Sequence, residues 1–128
     1  MKKSTSTFAL IIFTLFCGIS FCQDIDINGT WVGETEVPDQ GTDEITLVLE
    51  KEEGEYIGTI SDSLGMLDET ECEDIEFKDS NLSFNFSIYD GYSTMKVYIT
   101  LTVEGDTQTG YWETEDGSTG SIKLKKEE

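Results

Sequence analysis

The side chains able to do chemistry in this sequence are carboxylates, aromatic rings and thioethers. It holds 27 acidic residues against eight basic ones, and it has no histidine. Nine acids, Asp39, Asp43, Asp62, Asp68, Glu69, Glu71, Asp90, Glu115 and Asp116, fall in or beside stretches that read as loops, and those loops contain no lysine. A rim of one sign raises the local concentration of counter-ions, so it would draw a cationic ligand, a basic partner or calcium. The same acids are also what the solvated loops of any very acidic protein would show. No EF-hand spacing of oxygen ligands is present, and neither a metal site nor a cofactor is expected.

Catalysis is not expected. There is no Gly-x-Ser-x-Gly elbow and no phosphate-cradling glycine loop, and Cys72 has no histidine to serve as its base. A carboxylate pair for glycoside hydrolysis is easy to draw among so many acids, which makes any chosen pair uninformative. The candidates for binding are apolar and aromatic: Met66 and Leu67 in the stretch 63–71, with Tyr89, Tyr92 and Trp112 near the same end by strand direction. Leu64, Met66 and Leu67 could cover a bound ligand, contact a partner, or plug a barrel end as satellite core. The aromatics could stack on a ligand or be ordinary half-buried rim residues.

These residues have to be positioned by short strands. Residues 1–22 read as a cleaved signal peptide, with Lys2 and Lys3 ahead of an apolar run, Phe8–Phe16, that is too short for the ~20 residues of a membrane helix. The preferred cleavage leaves Gln23 first. Cys22 as the acylated residue of an outer-membrane lipoprotein is the lesser alternative, because bulky Phe21 precedes it. The expected location is therefore secreted or periplasmic. Loss of the leader would take the formal charge from −19 to −21, which argues against nucleic acid and anionic membrane surfaces as partners.

Residues 23–128 suffice for one domain. Alternation of apolar and polar residues predicts strands at 27–37, 44–51, 56–62, 72–78, 82–89, 94–103, 107–114 and 119–125, separated by turn signals such as Pro38-Asp39-Gln40-Gly41 and Asp90-Gly91. Cys72 falls on the parity opposite Ile75 and Phe77 unless a bulge intervenes. The fold class is all-β: an eight-stranded antiparallel up-and-down meander that closes into a barrel and so abolishes its edges.

Gly29-Thr30-Trp31 at the start of the first strand, in such a meander, resembles the lipocalin and wider calycin pattern, and most closely the compact lipocalin-like barrels exported by Gram-negative bacteria. The resemblance implies a structural role for Gly29 and Trp31 in closing one end, and a habit of ligand binding. The chain departs from the pattern in its shortness, in lacking a C-terminal helix, and in having no arginine to stack on the tryptophan.

A meander sends alternate loops to opposite ends. Loops near 52–54, 79–81 and 104–106 are tight and share the end where Trp31 lies. The connections 38–43, 63–71, 90–93 and 115–118 share the other end and are longer and more varied, as at a ligand entrance. The expected function is a binding module taking a small apolar or amphipathic ligand at an acidic mouth. The alternative is an accessory barrel with a filled interior that contacts another exported protein through residues 63–71. Phe84, Phe86, Met95, Ile99 and Leu101 are bulky enough that any cavity should be small.

Overall fold

The computed structural model describes residues 25–89 and 91–127. The signal segment, Cys22 and Asp90 lie outside the described residues.

Every regular element among them is a strand: β1 (Gly29–Val37), β2 (Gly41–Glu52), β3 (Glu55–Asp62), β4 (Thr70–Glu71), β5 (Glu73–Lys78), β6 (Asn81–Tyr89), β7 (Thr94–Glu104), β8 (Thr107–Thr114) and β9 (Thr119–Lys126). They form one antiparallel sheet in the order β4-β3-β2-β1-β9-β8-β7-β6-β5. The pairing of β1 with β9, Trp31 opposite Lys126 through Thr35 opposite Ile122, curls the sheet round on itself. No helix among the described residues is long and apolar enough to cross a membrane.

The sheet has nine strands rather than eight, because the expected strand 72–78 is broken. Thr70 and Glu71 pair with β3, whereas Glu73 onward pairs with β6, and the register shifts between Glu73 and Glu76. Cys72 is the hinge between the two partners, and its N–H donates to the Gly58 carbonyl (2.9 Å). Asp74 at φ 54 marks the irregularity. This bulge brings Cys72 to the core beside Ile75 and Phe77. The barrel is nearly but not fully hydrogen-bonded, since β3 and β5 are not paired with each other. Side chains bridge that seam: Tyr56 meets Phe77 edge-on with ring centroids 6.3 Å apart.

Period-two alternation fills the interior. Leu47 and Leu49 of β2, Leu82 and Phe84 of β6, Leu101 and Val103 of β7 and Leu124 of β9 are all buried. At the end with the tight turns, Trp31 is fully buried and its Nε1–H donates to the Ile27 carbonyl (3.0 Å). Lys126 covers the ring, its Nζ lying 5.6 Å from the centre of the Trp31 ring and donating to the Asp26 carbonyl (3.0 Å). Gly29, at φ 125, makes room for that arrangement: a Cβ there would lie 3.1 Å from the Lys126 stem.

Candidate functional site

The interior is solid at the Trp31 end and hollow at the other. The cause lies in the inward residues of each strand. Along β1 they run Trp31, Gly33, Thr35, Val37 from floor to mouth, and along β9, from mouth to floor, Gly120, Ile122, Leu124. Small residues toward the mouth leave a cavity of about 280 Å³. Its walls include Ile45 of β2, Ile60 of β3, Phe86 and Ile88 of β6 and Met95 of β7, and its rim is made by the turn at 38–40, the loop 63–69 and the turn at 115–118.

Trp112 forms one wall. Its ring lies over Gly120, the residue opposite it on β9, so closely that a Cβ on Gly120 would be 2.7 Å from the indole. The Nε1–H donates to Thr35 Oγ1 (2.8 Å), and the Thr35 hydroxyl donates in turn to the Ser121 carbonyl (2.5 Å). The indole's single donor is thus satisfied by the barrel wall, and its carbon surface is left to the cavity.

Two carboxylates strap the long loop down. Asp43, only 1% exposed, sits on β2 with its side chain inward, and its Oδ1 accepts from the Ser63 N–H (3.1 Å), the Ser63 hydroxyl (3.2 Å) and the Leu64 N–H (3.1 Å). Asp62, at the end of β3, accepts from the Leu67 N–H through Oδ1 (2.8 Å), and its carboxyl shares a hydrogen bond with that of Asp43. Burial, and then the neighbouring Asp62 carboxyl, push Asp43 up from 3.8 to about 6. On the opposite rim, Asp116 accepts from the Thr114 hydroxyl and the Ser118 N–H (3.2 Å), which hold its carboxyl below the ordinary range.

Of the residues singled out for binding, Met66, Leu67 and Trp112 line this cavity. They do so differently, Leu67 being buried and Met66 39% exposed. Tyr89 and Tyr92 stand apart from it, 70% and 94% exposed, with the Tyr89 hydroxyl donating to the Gly91 carbonyl (3.2 Å). Alternation explains the separation: Ile88 takes the inward place and turns Tyr89 out. Asp43 moves the other way, from expected rim acid to interior group. β2 begins at Gly41 rather than at residue 44, which gives Asp43 the parity of Ile45, Leu47 and Leu49; that spacing is the signal that could have found it. Thr35 and Thr114 likewise join the cavity wall.

A second depression, about 420 Å³, lies along the seam and is lined by Val48, Ile57, Gly58 and Cys72 among others. Burial pushes the Cys72 thiol up to about 12, so it stays protonated and a weak nucleophile at neutral pH. Among the described residues, no group of three or more metal-ligating side chains comes together.

Comparison of the chain with protein-family models, with curated proteins and with solved structures returned no match, so the nearly closed antiparallel barrel itself is the firmest statement of kind.

Proposed function

We propose that the protein is an exported, lipocalin-like binding module that takes one small apolar or amphipathic ligand at the end of the barrel opposite Trp31. The observation that carries this reading is the cavity of about 280 Å³ walled by Ile45, Ile60, Phe86 and Trp112. It lies just below the ~300–1,000 Å³ of typical ligand pockets, and the polar groups in its mostly apolar lining are few, as in sites that bury an apolar body and orient a polar end. The loop 63–69 supplies Met66 and Leu67 as its cover, tied down through Asp43 and Asp62.

The test is fluorescence of the uncharged, environment-sensitive dye N-phenyl-1-naphthylamine. Saturable enhancement, lost on replacing Ile60 by Trp to fill the cavity, is the expected result. A dye that shows no saturable binding removes the reading.

A second reading, an accessory barrel contacting another exported protein, is favoured by one feature: Leu64 and Met66 are each 39% exposed at the tip of that loop. Met66→Ser should then abolish capture of the partner with little change in stability. Leu67→Ser, by contrast, should destabilise the fold, because Leu67 is buried.

A further inference from the structure

The polar lining of the cavity has one sign. Its ionisable side chains are Asp43 and Asp116, and no lysine is among its walls. Asp43 lies against the Asp62 carboxyl, and among the described residues no lysine pairs with either of them; the ion pair found there is Lys96 with Glu73, at 3.9 Å. The backbone and hydroxyl donors of loop 63–69 serve Oδ1 of each aspartate, and the two carboxyls meet each other in a hydrogen bond that lasts only while one of them holds a proton. Two neighbouring carboxyls, one of them almost wholly buried, are therefore held beside an apolar cavity without a counter-charge. Such an arrangement is costly until a cation or a donor arrives.

We infer that the ligand class of this cavity is an amphipathic amine, with an apolar body in the space under Trp112 and a protonated amino head against Asp43. The inference rests on the container reading above. An ammonium offers three donors and no acceptor, which complements a lining rich in acceptors. The converse holds for a fatty acid, whose carboxylate would be brought against Asp43 and Asp116 with nothing cationic to receive it. Size limits the body: an apolar cavity of ~150 Å³ accommodates one benzene ring, so the space here suits roughly eight to ten carbons.

The experiment displaces N-phenyl-1-naphthylamine from the purified protein with three matched eight-carbon compounds, octylamine, octanol and octanoate, at neutral pH. It is done in about 0.5 M salt, where the diffuse field of a very acidic protein is screened within a few ångströms and only close contacts discriminate. The expected order is octylamine best by at least tenfold over octanol, with octanoate weakest. Asp43→Asn, which keeps an oxygen to accept from Ser63 and Leu64, should lose the preference for octylamine over octanol, the two being compared within the variant so that a change in its dye affinity cancels. Asp39→Asn, on the exposed turn, should keep it. Dye binding with octylamine no better than octanol overturns the amine inference and leaves the container standing; absence of dye binding overturns the container. Should Asp43→Asn fail to fold, the three-compound series on the unaltered protein decides alone.

Discussion

The two ends of this barrel are made from the same strands and the same alternation, yet one is packed and the other is open. At the floor, Trp31 shares the buried core with Leu47, Leu49, Val103 and Leu124, and Lys126 lies over its ring. At the mouth, the corresponding inward places hold Thr35, Asp43, Thr114 and Gly120, and the indole of Trp112 leans on a glycine. Side-chain volume per layer, rather than strand geometry, sets where the hollow lies. A barrel of about eight strands has just enough interior to be filled or to hold one small guest. Here it is filled at one end and hollow at the other.

The comparison breaks most sharply on the two tryptophans. Trp31→Ala should cost ~3–5 kcal/mol, the range for removing a large aromatic from a packed core. Trp112→Ala should cost markedly less, because its ring already borders empty space. Urea unfolding of both variants measures this, and equal losses would erase the distinction between floor and mouth.

The mouth should also carry a pH signature that the floor lacks. Asp43 titrates near 6 in the folded protein against 3.8 for an ordinary aspartate. The folded state therefore holds this proton at a pH where the unfolded chain has released it. Its contribution is fully present below about 3.8 and is lost as the pH rises through about 6. The protein should gain on the order of 2 kcal/mol on going from pH 7 to pH 4 through this group. Asp43→Asn should flatten that part of the profile; a variant profile that superimposes on the parent would assign the effect to general charge repulsion instead.

Gly120→Val tests whether the mouth wall is as particular as it looks. A side chain there meets the indole of Trp112, so a loss of ~1–3 kcal/mol from overpacking is expected, together with a changed near-ultraviolet dichroism of the displaced ring. An unchanged spectrum would mean that Trp112 does not depend on this glycine.

The smallest effect probes the floor. Gln108 is fully buried there and neither amide atom finds a partner among the described residues. Gln108→Met removes both unsatisfied groups at similar volume and should raise stability by ~1–2 kcal/mol. A decrease would show that solvent reaches the amide and that the floor is wetter than its packing suggests.

Strand positions, turn positions and the assignment of loops to ends are local or topological properties, and alternation with turn residues was enough to place them: β8 falls on 107–114 as expected, and the Trp31 end is the packed one. The split of the fourth expected strand was not legible, because pairing with β3 or β6 is chosen at Cys72 by partners far along the chain. The inward side of Asp43 was legible in its parity with Ile45, Leu47 and Leu49; that the strand already pairs there, from Gly41 opposite Val37, was not.

By itself, then, the amino-acid sequence determined the all-β meander, because a two-residue period and tight turns act over a few residues. Only the tertiary structure decided that the interior is hollow at one end and that two aspartates sit beneath the loop at 63–69. Both depend on which inward side chains share a layer, and the hairpin pair Thr35 and Asp43 meets the hairpin pair Trp112 and Gly120 only when β1 pairs with β9.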